Sequence, residues 1–241
     1  MSDERSPGGS RIIRHEAPSG DAPSTSGDPD LIAAIDAHLD ACFGKADRSV
    51  FHEVVSTSIH IDVHLVPPSD EFPVQRLVTS GMSEAPMTVP EGFDDTPFAE
   101  LTIALPPDWP MSDRAFSDER VYWPIRLLKS LARLPHQYST FLTHGHTIPN
   151  GDPPRRYTRG TSLCCALIVP PLFSPEEFTT LELTGERIVR FLAIVPIHED
   201  ELRLKLDQGS DALYELFNAQ NVSDVVDPDR PSVVPGQRRS R

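Results

Sequence analysis

The chain has 241 residues, with 36 acidic and 22 basic side chains and a formal net charge of −14 at pH 7. This acidity argues against general nucleic-acid binding, because a phosphate backbone would be repelled, and it is compatible with a basic protein partner. No stretch approaches the roughly 20 apolar residues of a membrane span, and the N-terminus lacks an apolar run of the signal-peptide type. These features predict a soluble cytoplasmic protein that makes no membrane contact.

Composition divides the chain into one domain and two tails. Residues 1–27 are rich in Ser, Gly, Pro and Asp and predict a disordered N-terminal tail. Residues 28–226 carry the apolar segments of a single domain, and residues 227–241 predict an irregular C-terminal tail. Three cysteines are too few for a disulfide framework, which fits a reduced compartment. Arg far outnumbers Lys, a composition typical of GC-rich bacterial genomes.

The first half of the domain predicts one helix followed by strands. Asp28 and Pro29 form a helix start, apolar residues then recur at helical spacing, and Gly44 ends the helix. The strands predicted next cover residues 51–55, 59–66, 74–80 and 99–105. The stretch 81–97 between the last two is long and irregular, and such loops are often functional.

The second half predicts helices and buried strands. Residues 124–134 place leucines on one helical stripe, and Pro135 is expected to end that helix. The elements predicted next are a buried strand over 164–169, a hairpin over 179–188, a buried strand over 189–195, and helices over 199–206 and from Ser210. Strands occur in runs and do not alternate with helices. The expected fold class is therefore α+β, a mostly antiparallel or mixed β-sheet with helices packed on it.

The predicted strand over 59–66 places His60, Asp62 and His64 on one face. The two histidines would lie about 13 Å apart on a regular strand, so one zinc could bind only one of them together with Asp62. Alternation with apolar residues is explained by a solvated strand face, and this is the interpretation we adopt.

A second histidine pair, His144 and His146, lies in the polar loop from Thr143 to Asp152. On an extended segment this pair can reach one tetrahedral zinc. The candidates for a third ligand are Asp152, Asp62 and His136. The alternatives are hydrogen bonds that brace the loop, or a polar surface for a partner. We predict no metal and no other cofactor.

Other chemical signatures are weak. Cys164 and Cys165 lie in an apolar run, which favours inert packing over a nucleophile paired with histidine. The scattered glycines form neither a phosphate-binding loop nor a GxSxG elbow. Trp109 and Trp123 stand beside prolines, where they can edge a peptide groove or, alternatively, close the core over the sheet. We therefore predict that the protein is not an enzyme.

Five segments, in order along the chain, resemble the suppressor-of-fused domain family. They are LVTSGMSEAPM (77–87), FAELTIALPPDWP (98–110), WPIRLLKSLARLPHQYSTFLTHGHTIPNGDP (123–153), ALIVPPLF (166–173) and VRFLAIVPIHEDEL (189–202). The resemblance covers about residues 50–226. It implies that animal members have two lobes and act as non-enzymatic repressors, clamping a short motif of Gli transcription factors between the lobes. It implies that bacterial members are usually single domains resembling the animal N-terminal lobe, many of them thought to be immunity proteins of polymorphic toxin systems.

Only a short tail follows the final predicted helix, so we expect no second lobe and do not carry over the interlobe clamp. The leading hypothesis is a non-enzymatic protein-binding domain, in its more specific form an immunity protein that neutralises a co-encoded toxin. The alternatives are a metal-dependent hydrolase using His144 and His146, and a regulatory scaffold that binds short extended peptides. The candidate binding residues are His144, His146, Asn150, Asp152, Trp109 and Trp123. The identity of the partner and the oligomeric state stay open.

Overall fold

The structure, a computed structural model, describes residues 4–15, 27–46, 48–52, 59–93, 96–185 and 187–235. This part of the chain is built around an eight-stranded sheet. Its strands are β1 (Val50–Phe51), β2 (Asp62–Val66), β3 (Gln75–Ser80), β4 (Phe98–Leu105), β5 (Thr147–Pro149), β6 (Cys165–Val169), β7 (Thr180–Glu182) and β8 (Ile188–Ile197). The order is β1-β2-β3-β4-β8-β6-β5, and β7 also pairs with β8. Among these eight strands, only β4 and β8 pair in parallel. The predicted mixed α+β fold is confirmed.

The helices are α1 (Pro29–Phe43), α2 (Glu119–Gln137), α3 (Glu199–Gln208) and α4 (Ser210–Ala219). At the start of α1 the Asp28 carboxylate accepts hydrogen bonds from the backbone N–H groups of Asp30 and Leu31, as its capping sequence predicts. Pro135 was expected to end α2, but the helix continues through it to Gln137. Pro135 is buried, and packing against the core compensates for the backbone hydrogen bond that proline cannot donate. Within the described residues, no helix is long and apolar enough to span a bilayer.

Helices cover both faces of the sheet, and successive residues of β8 pack alternately against the helices on one face and on the other. Its residues Leu192 and Ile194 belong to the core beneath α2. On the opposite face, Phe191 packs in the cluster of α1, and Val195 and Ile197 pack beneath α3 and α4. A strand covered on both faces needs apolar residues at every position, which explains the continuous apolar run in the sequence.

The polar face of β2 is buried, so the expected solvated face is wrong. Asp62 and His64 are each 1% exposed, and α1 packs over this side of the sheet. The Asp62 carboxylate lies 2.9 Å from His52 Nδ1 and 2.9 Å from His60 Nε2. His64 Nε2 lies 2.9 Å from Ser80 Oγ. Alternation predicted which side chains share the face, but α1, remote in sequence, determined that this face is buried.

A buried carboxylate shapes the turn after β3. Glu100 on β4 is fully buried, and its Oε1 accepts hydrogen bonds from Gly81 N (3.0 Å), Ser83 N (2.9 Å) and Ser83 Oγ (2.7 Å). Its Oε2 accepts one from Thr79 Oγ1 at 2.6 Å. Gly81 has φ = +112°, and a Cβ there would lie 2.0 Å from His60 O, so the turn requires glycine. The turn occupies the start of the stretch predicted to be an irregular loop.

Both terminal segments contact the helical layer where the structure describes them. In residues 4–15, Gly8 N donates to Leu206 O at 2.7 Å, next to the end of α3. In residues 227–235, Arg230 forms two hydrogen bonds of 2.6 Å to the buried carboxylate of Glu201, which also accepts from Val233 N at 3.0 Å. The boundaries of the domain at residues 28 and 226 stay predictions.

Candidate functional site

The loop from Thr143 to Asp152 is held to strand β6 by its backbone. Gly145 N donates to Ile168 O at 2.8 Å, and Ile168 N donates to His146 O at 2.9 Å. His146 N donates to Thr143 O at 3.1 Å, closing a tight turn in which Gly145 has φ = +82°. Glycine adopts this left-handed conformation without steric cost. The loop therefore has a fixed backbone that presents its side chains in defined directions.

The two histidines of this loop contact different neighbours. The His144 ring is exposed and stacks on Tyr214 of α4, with ring centroids 6.1 Å apart and an interplanar angle of 4°. The His146 ring packs on Phe141, with centroids 4.9 Å apart. Burial, aided by the nearby charge of Lys205, lowers the pKa of His146 to about 4. His146 is therefore a neutral packing residue at neutral pH, and His144 is the member of the pair available to a partner.

The structure does not assemble a metal centre around this pair. The proposed third ligands have other roles: His136 Nε2 lies 2.9 Å from Met82 O, and Asp62 contacts His60. Asp152 is exposed on the loop. Across the described ranges, no group of three or more His, Cys, Asp or Glu side chains is placed to hold a metal ion. The hydrolase hypothesis therefore lacks its ligand set in this part of the chain.

Asn150 braces the end of the loop. Its Nδ2 donates to Arg155 O at 2.7 Å, and Arg155 N donates back to Asn150 O at 2.9 Å. Its backbone N donates to Cys164 O at 2.9 Å, which joins the loop to the chain entering β6. Asp152 is exposed and precedes Pro153 through a cis peptide bond. Asn150 thus fixes the direction in which the chain leaves the loop, while Asp152 faces solvent.

The two tryptophans pack together. Trp123 is 0% exposed and stacks on Tyr157, with centroids 5.2 Å apart and an interplanar angle of 8°. Trp109 meets the Trp123 ring edge-on at 6.5 Å and donates from Nε1 to Val121 O at 3.1 Å. The structure therefore favours the alternative in which Trp123 closes the core. Trp109 is half-buried at the edge of that core.

The cysteines do not form an activated nucleophile. Cys164 and Cys165 are buried, and burial raises the pKa of both thiols. Cys42 on α1 lies 3.8 Å from His38 Nε2, a pair that the sequence interpretation missed although it has helical i, i+4 spacing. Burial raises the pKa of Cys42 and lowers that of His38, which disfavours a thiolate–imidazolium pair.

An open depression of about 890 Å³, which the sequence did not predict, lies at the start of α2. Among its lining residues are Asp118, Glu119, Arg120, Arg156, Thr158 and Arg159. We call it the arginine pocket. The sequence feature that could have indicated this pocket is the run RRYTR, which places three of the 22 basic residues within residues 155–159.

Comparison with known proteins agrees with this architecture. Residues 57–231 match the family model described as suppressor of fused protein (SUFU). A suppressor of fused homologue from Neisseria gonorrhoeae FA 1090 has a similar fold, with TM-score 0.64, 20% identity, and coverage of 87% of this chain and 100% of that one. The structure of the Sufu–Fu complex matches with TM-score 0.59, 20% identity, and coverage of 86% and 93%.

Drosophila Suppressor of Fused matches with TM-score 0.56 and 19% identity over 86% of this chain. The match spans 54% of the Drosophila chain. Comparison with curated proteins gives no significant match. Because the family model covers well over half of the sequence, the chain belongs to the suppressor of fused protein family.

Proposed function

We propose that this protein is a non-enzymatic protein-binding domain, and that its partner is a toxin encoded by a neighbouring gene, which it neutralises. The observation that carries the proposal is membership of the suppressor of fused family over residues 57–231. A protein of similar fold is described in a complex of Sufu with Fu. Binding without chemistry is also consistent with the described residues: Cys164 and Cys165 are buried, and His64 and His136 lie within hydrogen-bond distance of Ser80 Oγ and Met82 O.

The loop from Thr143 to Asp152 offers this function a contact surface. His144 is exposed, and Tyr214 beside it is half-buried, so the two stacked rings form a small aromatic platform. Tyrosine is enriched among residues that dominate interface energies, because a rigid ring buries much area at little entropic cost. The backbone hydrogen bonds of the loop reduce the ordering cost of binding.

Net charge supports a basic partner. A surface with a formal charge of −14 accelerates the encounter with a basic protein more than it tightens the final complex. The association rate constant should therefore fall as ionic strength rises, while the dissociation rate constant changes less.

The test is co-expression of this protein with the product of each neighbouring gene in a bacterial host. If a neighbouring product arrests growth, we expect the protein to restore growth and to co-purify with that product. Replacing His144 by alanine should weaken both effects, whereas His15→Ala, which also removes one exposed imidazole, should not. A toxic neighbour that is neither bound nor neutralised would refute the immunity role.

A second candidate function is the binding of a short extended peptide. Strand β5 (Thr147–Pro149) lies at the end of the strand order, directly after the histidines of the loop. An extended segment can add to such an edge through backbone hydrogen bonds. A peptide array separates the two candidates, because a linear partner retains binding as isolated peptides and a folded toxin domain does not.

A further inference from the structure

We propose that the arginine pocket binds an acidic segment of the protein partner through the guanidinium groups of Arg156 and Arg159. The proposal rests on the proposed protein-binding function and names the chemistry of one contact. The pocket lies at the start of α2 and has a volume of about 890 Å³, which is larger than a single small anion needs.

The acidic residues that line the pocket are already neutralised. The Asp118 carboxylate pairs with Arg120 at 2.6 Å, and Glu119 pairs with Arg126 at 2.5 Å. Arg156 and Arg159 form no ion pair with any residue in the described ranges. The pocket thus has uncompensated positive charge in a chain whose formal charge is −14.

The chain holds these arginines in place through Tyr157, one of the two residues between them. Tyr157 is buried, and its ring stacks on Trp123. Its backbone N donates to Leu163 O at 3.1 Å, and its carbonyl accepts from Arg126 Nη2 at 2.8 Å. Anchoring Tyr157 in the core keeps the backbone on either side of it at the surface, where Arg156 and Arg159 are exposed. A fixed backbone lowers the entropic cost of binding.

The chemistry of the pocket favours carboxylates on a peptide. A guanidinium matches a carboxylate in a planar, two-point geometry, and two of them can bind successive acidic side chains. A phosphate concentrates its charge at one point, whereas an acidic segment spreads single charges along its length and can fill an open depression of about 890 Å³. The net negative charge of the protein acts weakly here, since salt screens exposed charges beyond about 8 Å.

The experiment measures binding of a fluorescein-labelled oligoglutamate peptide to the full chain by fluorescence anisotropy at physiological ionic strength, about 0.15 M, where the net charge of the protein is screened. We expect saturable binding that Arg156→Glu and Arg159→Glu each weaken by about tenfold, the effect of losing one charge-assisted contact. Arg11→Glu makes the same change in net charge at an exposed site in the N-terminal segment, so it should leave binding unchanged. An oligoglutamine peptide should not bind.

Three outcomes would overturn the proposal: no binding of oligoglutamate, equal weakening by Arg11→Glu, or equal binding of oligoglutamine. Displacement of the peptide by inorganic phosphate at an equal concentration of charge would also overturn it, because the site would then select a compact anion. The result is independent of the toxin test. If a partner binds but oligoglutamate does not, this contact is refuted and the proposed function is not. If oligoglutamate binds but no toxin is neutralised, the immunity role is refuted and this contact is not.

Discussion

Replacing Glu100 by alanine should strongly destabilise the protein. The carboxylate is fully buried and accepts four hydrogen bonds, from Thr79 Oγ1, Gly81 N, Ser83 N and Ser83 Oγ. Alanine would leave four buried donors without this acceptor, and each unsatisfied group costs about 1 to 3 kcal/mol. The expected loss in the free energy of unfolding is therefore about 4 kcal/mol or more, a large part of the stability of a typical domain.

The matched control is Glu100→Gln, which keeps the volume of the side chain. Its amide oxygen can still accept from Gly81 and Ser83, and its NH₂ group can donate to the Thr79 hydroxyl. That hydroxyl can then turn towards Leu101 O, which lies 3.3 Å away. We expect glutamine to cost about 1 kcal/mol or less, because it keeps the network and removes the burial of a charge.

Urea denaturation followed by tryptophan fluorescence measures both variants. Burial raises the pKa of Glu100 above its ordinary value of 4.5, so its contribution to stability is greatest below that value and is lost as pH rises through the folded-state pKa. The wild-type protein should therefore lose stability relative to Glu100→Gln as pH rises through this window. A loss below about 1 kcal/mol in Glu100→Ala would refute the argument, since a single unsatisfied donor should already cost that much.

Three further predictions concern the fold and the loop. Gly81→Ala should lower the melting temperature far more than Gly92→Ala, because both glycines have positive φ but only a Cβ at Gly81 would clash, at 2.0 Å from backbone. Arg230→Ala should lower the free energy of unfolding by about 3 to 5 kcal/mol, because it breaks a buried ion pair, and should expose residues 227–235 to proteases. The control Arg203→Ala, which breaks a surface ion pair, should lower it by less than about 1 kcal/mol. In NMR titrations His146 should stay neutral until about pH 4. Because that pKa is depressed from 6.5, stability should fall as pH drops from 6.5 towards 4, and His146→Ala should flatten this dependence.

The sequence predicted local elements well where the signal was local. Asp28 and Pro29 specify the start of α1 through capping and a fixed φ, and the structure has the helix begin there. The apolar runs 164–169 and 189–195 predicted buried strands that became β6 and β8. The predicted end of α2 was wrong, because burial of Pro135 outweighed the local cost of proline inside a helix.

The candidate site could be predicted only in part. The sequence predicted the loop from Thr143 to Asp152 as the candidate site, which stays a prediction. Its two histidines, expected to act as a pair, contact Tyr214 and Phe141, which lie far apart in sequence. Trp123 was chosen for its place beside proline, yet it stacks on Tyr157, a contact between residues 34 positions apart that no local pattern specifies. Pairwise contacts of this kind depend on how helices and loops pack on the sheet.

By itself the sequence determined the acidic charge, the α+β class and the resemblance to the suppressor of fused family, because these depend on composition, periodicity and ordered motifs. Tertiary structure alone decided which polar side chains are buried and which charges are paired. Helix α1 covers Asp62 and His64, so an alternating strand that resembles a solvated face is interior. Ion pairs neutralise Asp118 and Glu119, while Arg156 and Arg159 have no such partner among the described residues. Burial and pairing depend on distances between remote segments, and only the folded chain sets those distances.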